Sequence, residues 1–247
     1  VVAAALVVIV MYTRDLQGAR NELNSLNAEL ERRVSERTLD LTVARDRATA
    51  LLSEVNHRIA NSLALVSSLV GLQSKALKDD VAKAALGETQ DRIFAISLVH
   101  RRLYSSSAVG EVELDDYLSG LLEHLKTSLK SEAEGVTIVS EIAPLSLPTD
   151  SSINLGVVLT EWVTNAFKYA YPGGAGEVRV FVREAGDGQV EMVVEDDGVG
   201  RVEGAPANGT GLGTRIVTAM SASMQGKVEY RQRSPGMSAH LRFPRKA

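Results

Sequence analysis

The sequence contains no cysteine, which excludes disulfide scaffolds, thiolate metal sites and cysteine nucleophiles and fits a reducing compartment. Aromatic residues make up only 4%, so the core must be aliphatic, drawn from Leu, Val, Ile and Ala. Neither sign of charge dominates. The 27 Lys and Arg face 31 Asp and Glu, a net charge of −4, which argues against a protein that coats nucleic acid. Long hydrophobic runs are missing too: the uncharged run Val1–Tyr12 has 12 residues, whereas a membrane span needs about 20. No basic stretch precedes that run, so it is not expected to be a signal peptide. The 247 residues leave room for one or two domains.

The chain opens on Val rather than Met, and a polar segment that could not bury an apolar run follows it. Residues 1–12 are therefore expected to be the end of a transmembrane helix from a longer protein. Arg14, Arg20, Arg32 and Arg33 put the following side in the cytoplasm. Residues 13–50 are highly charged, lack proline and have glycine only at Gly18. Leu16, Leu23 and Leu30 are seven apart, with Ala19 and Leu26 between them; Val34, Leu41, Ala48 and Val55 continue the period in a shifted register. This pattern predicts a coiled coil with one stutter, and with it a parallel dimer.

The helical pattern runs on through residues 51–76, where Leu52, Val55, Ile59, Leu63, Val66 and Val70 share one stripe at about 100° per residue. Asp79-Asp80 marks a second helix reaching about Tyr104, with Ile93, Ile96, Val99 and Leu103 inward. Two antiparallel helices cannot cover their own stripes, so a dimeric four-helix bundle over residues 51–107 is the economical packing. Ser105 to Gly110 reads as a linker. Residues 108–247 change character and predict an α+β layer. There, helices over Leu114–Lys130, Ser151–Ala170 and about Leu212–Gln225 accompany strands at Val136–Ile142, Val178–Val182, Val190–Val194 and the closing hairpin through Pro235.

Of four histidines, His240 and His124 are expected at the surface and His100 in helix packing. His57 lies about 150° from the apolar stripe, on an outward face shared with Glu54 and Asn61, where a neutral imidazole is a competent nucleophile near neutral pH. A second constellation lies further on. Glu161, Asn165 and Lys168 share one helix face, an arrangement in which an amide oxygen meets Mg²⁺ and a lysine meets phosphate. Asp196-Asp197-Gly198-Val199-Gly200 follows a strand, offering a carboxylate for an exocyclic amine and glycines for close approach of a flat base. Gly209-Thr210-Gly211-Leu212-Gly213 opens a helix whose free N–H groups suit phosphate.

In this order the three segments resemble the N, G1 and G2 boxes of the histidine-kinase/gyrase/Hsp90 ATP-binding fold. Leu52–Leu63 around His57-Arg58, with Val99-His100-Arg101-Arg102-Leu103-Tyr104 closing the second helix, resembles the HRxxN phosphoacceptor subclass of sensor histidine kinases, related to the HWE group. The resemblance covers about Leu51 to Pro244. It implies an α/β-sandwich ATP-binding domain over 108–247, after a helical-hairpin dimerisation domain and the coiled coil. It further implies ATP and Mg²⁺, autophosphorylation of His57, and phosphotransfer to an aspartate on a response-regulator receiver domain. Asn165 would hold Mg²⁺ and Asp196 would read the adenine amine, with Gly198 and Gly200 beside it. Gly209, Thr210, Gly211, Leu212 and Gly213 would close on the phosphates, while Lys168 and Tyr169 line the nucleotide site. Glu161 would be the acidic catalytic residue of the N box. The implied setting is a homodimer at a bacterial inner membrane with its bulk in the cytoplasm.

Two departures stand out. Arg58 follows His57 where commoner histidine kinases carry an acid, and no Trp-x-Glu accompanies the G1 box. Glu54, one turn before His57, is therefore assigned to orient the imidazole while Arg58 steers phosphate. Only Arg201–Asn208 separates the glycine boxes, so any lid over ATP is short. An ATPase clamp of the same fold, or a degenerate kinase acting as phosphatase or scaffold, are the alternative readings.

Overall fold

A computed structural model describes residues 2–102, 111–129, 135–200 and 211–245; the side chains of residues 2–10 and 102 lie outside that description. Leu103, Tyr104, the Ser105–Gly110 linker, Arg201–Asn208, Gly209 and Thr210 also fall outside it. The chain divides into two compact units, Val1–Glu54 and Val55–Ala247. No helix among the described residues is long and apolar enough to cross a membrane. The expectation of a membrane segment over residues 1–12 therefore gains no support.

The first unit is the leading part of α1 (Val2–Ala76). Its heptad residues Leu16, Leu23, Leu30, Val34 and Leu41 are all more than half exposed. Intrahelical ion pairs from Arg32 to Glu29 and Glu36, and from Arg33 to Glu29, support the helix locally.

The second unit begins with the end of α1 and with α2 (Asp80–Arg102). Asp79 caps α2 by accepting the Val81 N–H at 2.9 Å. Asn56 meets His100 at 2.9 Å, and Gln90 donates to the Ser67 carbonyl at 3.0 Å, so the Asn56–Ser67 side of α1 faces α2. Val55, Ile59 and Val66 stay exposed here, as does Leu52 in the first unit.

Next come β1 (Glu111–Glu113), α3 (Leu114–Ser128), β2 (Val136–Ile142), β3 (Ser146–Pro148) and α4 (Thr149–Tyr169). They are followed by β4 (Gly176–Glu184), β5 (Gln189–Asp196), α5 (Leu212–Ser223), β6 (Lys227–Gln232) and β7 (Met237–Pro244). The five-stranded sheet has the order β2-β4-β5-β7-β6, parallel between β2 and β4 and antiparallel elsewhere. A separate antiparallel pair, β1–β3, was not anticipated from the sequence. Strands of three residues show too little alternation to be read.

Period-two alternation directs Val178, Val180 and Val182 of β4, Val190, Met192 and Val194 of β5, and Leu241 and Phe243 of β7 into one core. Leu118, Leu121 and Leu125 of α3 and Leu155, Leu159 and Val163 of α4 cover them. Each such burial contributes about 1.5–3 kcal/mol. At the helix junction Tyr117 is fully buried and donates to the Ala95 carbonyl of α2 at 3.2 Å. A Cβ at Gly156 would stand 1.8 Å from its hydroxyl, so glycine there admits the ring between α3 and α4.

Two histidine expectations need correction. His124 is half-buried, stacked on Phe94 with ring centroids 3.6 Å apart and bonded to Asp91 at 3.1 Å. His240 does face away from Ala239 and Leu241, but its side chain is only 13% exposed. It bonds Ser238 at 3.1 Å beside the buried Glu191, and burial, reinforced by Arg231, lowers its pKa. Strand alternation gives the face of a residue, whereas its neighbours across the sheet decide whether that face is wet.

Candidate functional site

The site is organised along α4. Its inward side is apolar, and Pro172 lies just beyond its end. Its polar line carries the buried Glu161, the exposed Asn165 and the half-buried Lys168, with Tyr169 43% exposed at the end.

At one end of this line the glycine-led helix α5 begins. Gly211, at φ +69°, is the N-cap, a conformation open to glycine without penalty. A Cβ on Gly213 would stand 2.7 Å from Glu161 Oε2, so this glycine lets α5 approach α4 closely. Leu212 is 46% exposed. The backbone N–H groups at the start of an α-helix suit an anion.

At the other end lies the turn after β5. Asp196 is only 7% exposed, and its Oδ1 accepts the Gly198 N–H at 3.0 Å. Burial raises its pKa, opposed by backbone bonds from Gly198 and Met237. Asp197, by contrast, points outward into a bidentate pair with Arg179, at 2.6 and 2.7 Å. The sequence offers two adjacent carboxylates; their surroundings assign them different work. The turn rests on α4: the Val199 N–H donates to the Ala170 carbonyl at 2.9 Å. A Cβ at Gly198 would sit 2.2 Å from that carbonyl oxygen, and Gly200 has φ +66°.

Two contributors, Arg92 and Glu88, escaped sequence reasoning. Arg92 of α2 pairs with both carboxylate oxygens of Glu161, the Nη2–Oε2 distance being 3.1 Å. Its Nη2 also donates to Glu88 at 3.1 Å, and Glu88 accepts from Lys168 Nζ at 2.7 Å. Lys168, Glu88, Arg92 and Glu161 thus form a line of alternating charge joining α2 to α4. Burial would lower the Arg92 pKa, but Glu161 and Glu88 more than offset this and hold it raised. Partners 69 and 80 residues apart leave no local signal in the sequence.

His57 lies on α1 and is exposed, as are Glu54, Arg58 and Asn61. The neighbouring Asn56 reaches His100 of α2, whose pKa burial lowers. The structure therefore gathers Glu161, Asn165, Lys168, Asp196, Gly198, Gly211 and Gly213 around α4 and sets His57 on a separate helix.

This division coincides with two family matches. Residues 54–129 match the family described as histidine kinase, and residues 150–247 match histidine kinase-, DNA gyrase B- and HSP90-like ATPases. The chain belongs to the histidine kinases. The sensor histidine kinase PdtaS of Mycobacterium tuberculosis is 32% identical over 151 residues, 58% of this chain and 30% of that protein. The blue-light-activated histidine kinase 1 of Erythrobacter litoralis is 29% identical over 201 residues, 78% of this chain and 52% of the relative. The chain thus spans between about a third and a half of these curated relatives. Among solved structures, the histidine kinase domain of the Erythrobacter litoralis EL346 blue-light-activated kinase superposes with a TM-score of 0.59 at 23% identity. That superposition covers 81% of this chain and 94% of the other and establishes the shared fold.

Proposed function

We propose that this chain is the transmitter part of a two-component sensor kinase, which binds ATP with Mg²⁺, phosphorylates His57 and passes the group to an aspartate of a response-regulator receiver domain. The observation that carries this reading is the assembly along one helix of a buried carboxylate, an exposed amide and a glycine-capped helix start, in a chain that exposes His57 on another helix.

Phosphoryl transfer rests on positioning and charge neutralisation. Asp196 accepts from the exocyclic amine of adenine, its other bonds being fixed by backbone. Asn165 offers a hard amide oxygen that suits Mg²⁺, which when bound neutralises phosphate charge. Among the described residues no group of three or more His, Cys, Asp or Glu could hold a metal. Asn165 would hold the ion together with phosphate and water oxygens. The first amides of α5, Gly211 to Gly213 with Leu212 between them, face phosphate. Gly209 and Thr210 lie outside the described residues and are assigned to phosphate by the sequence resemblance alone. Lys168 and Tyr169 line the site from α4, and Glu161 supplies its acidic group. The unprotonated ring nitrogen of His57 attacks the γ-phosphorus; the P–N bond forms as the P–O bond to ADP breaks, and the proton on the opposite ring nitrogen is released to solvent. Glu54 orients that ring by accepting the N–H, and Arg58 steers phosphate. Glu54→Ala should slow autophosphorylation about tenfold, the loss of one charge-assisted hydrogen bond. An unchanged rate removes Glu54 from the mechanism.

The exposure of Leu52, Val55, Ile59 and Val66 supports a homodimer through a four-helix bundle, which sedimentation of the chain tests. Membrane attachment rests on the apolar run at residues 1–12 alone; partition of the protein into detergent tests it. The decisive experiment uses radiolabelled ATP and Mg²⁺ with wild type, His57→Ala and Asn165→Ala. Acid-labile, alkali-stable label lost in both variants is expected. Released phosphate without labelled protein would favour an ATPase clamp, and neither label nor turnover would favour a degenerate scaffold.

A further inference from the structure

The turn carrying Asp196 is held by a residue that the nucleotide-site reading leaves without a role. Tyr171 follows α4 by two positions and packs half-buried against the core. A phenol can donate one hydrogen bond and accept two, and Tyr171 makes all three. It donates to the Glu177 carbonyl at 2.6 Å and accepts from the Glu177 N–H at 3.2 Å and the Asp197 N–H at 3.0 Å. Its ring occupies the space over Gly176, where a Cβ would come within 2.1 Å of it.

These contacts fall where the β4–β5 ladder stops. The last pair is Val178 with Asp196, and the next would be Glu177 with Asp197. The Tyr171 hydroxyl meets the backbone groups of that missing rung instead. Strand β5 therefore ends at Asp196, and the chain leaves the sheet there without stranding polar backbone. Three successive amides are then fixed in turn: Asp197 N–H on Tyr171 Oη, Gly198 N–H on Asp196 Oδ1, and Val199 N–H on the Ala170 carbonyl. The middle bond orients the Asp196 carboxylate, and its donor is held from either side by Tyr171 and Ala170.

We propose that Tyr171 is a positioning residue for the adenine-reading carboxylate: its hydroxyl ends the strand at Asp196 and sets the Gly198 N–H that aims Asp196 at the base. This inference rests on the nucleotide-site reading above. It does not make Tyr171 a catalytic residue, because its hydroxyl is fully used by backbone.

Tyr171→Phe in the full chain tests it, since the ring over Gly176 is kept and only the hydroxyl is lost. Three measurements separate the outcomes: ADP and GDP binding by calorimetry, amide hydrogen exchange at 197–199 without nucleotide, and KM against kcat for ATP. The expected result is ADP binding weaker by about five- to tenfold, the scale of one lost hydrogen bond near a buried charge. The preference for ADP over GDP should shrink, exchange at residues 197–199 should quicken, and KM should rise with kcat within about twofold. Unchanged ADP affinity in the variant would overturn the proposal while leaving the nucleotide site intact. Weaker binding with unchanged exchange at 197–199 would also overturn it, because the effect would not pass through the turn. A wild-type chain that binds neither nucleotide would bring down the nucleotide-site reading, and the role of Tyr171 with it. A melting curve matching wild type verifies that the variant is folded.

Discussion

The two ends of α4 are built on different principles. At its C-terminal end, the turn after Asp196 is fixed by short-range bonds to backbone and to one phenol, and its ion pairs, Asp197 with Arg179 and more distantly with Arg233, lie at the surface. Glu161 near its middle and Lys168 in its last turn are instead engaged by charges brought from a different helix, Arg92 and Glu88 of α2. A backbone-built site keeps its shape whatever α2 does. A site whose charges are shared with α2 cannot: Lys168 cannot serve phosphate and Glu88 with full strength at once, nor Glu161 act free of Arg92. The base end is thus pre-formed in this conformation, while the phosphate end depends on where α2 stands.

The sharpest way to break that contrast is Arg92→Ala. The Arg92 and Glu161 side chains are 13% and 6% exposed, and removing one partner of a buried pair typically costs about 3–5 kcal/mol because the other charge is left uncompensated. A stability loss towards the lower end of that range is expected in urea unfolding, with Glu161→Gln in the same chain restoring part of it. The Asp196 turn should keep its amide protection in the folded variant. If protection at 197–199 falls with the ion pair, the two ends are one cooperative structure and the contrast is wrong.

Asp196→Asn probes the other end. Burial raises the Asp196 pKa above its unfolded value, so the ionised group destabilises the fold. The favourable contribution is present below the unfolded pKa of about 3.9 and is lost as pH rises through the folded pKa. Asparagine should therefore leave the protein at least as stable at neutral pH, with the advantage vanishing in acid. ADP affinity should fall by about tenfold or more, the scale of one charge-assisted hydrogen bond. A gain in stability with a loss of binding marks a carboxylate held for its ligand. Loss of both would make Asp196 a structural residue.

Much of this was legible in the sequence because its signals are local. Alternation at Val178, Val180 and Val182 fixed a strand and its inner face, and the spacing of Glu161, Asn165 and Lys168 placed them along one helix. The glycines at 198, 200 and 213 stand where the structure shows close approaches, and Gly211 stands at positive φ. What was not legible is tertiary. The stacking of Phe94 on His124, the cover over His240, and the reach of Arg92 to Glu161 join residues far apart in the chain. No periodicity encodes such partners. Tyr171 is an intermediate case: a tyrosine beside Pro172-Gly173 reads as part of a helix stop, and only the register of β4 on β5 reveals what its hydroxyl replaces.

Arg179→Ala should give the smallest effect and sharpen the comparison most finely. Arg179 spans β4 to β5, facing Glu195 in register and holding Asp197 in a bidentate pair. The Asp197 side chain is 44% exposed, so solvent screens the pair and its loss should cost below about 1 kcal/mol. The hydrogen bond from Arg179 holds the Asp197 pKa below its ordinary value. This contribution is present above the unfolded pKa of about 3.9 and is lost as pH falls through the lower folded value. The stability difference between wild type and variant should accordingly be flat near neutrality, shrink below about pH 4, and shrink again in molar salt, where the Debye length is about 3 Å. The Arg92 effect, set in a desolvated cluster, should survive the same salt. If the two variants respond alike to salt, the charges joining α2 to α4 are as exposed to solvent as a surface pair, and the phosphate end is not held by burial.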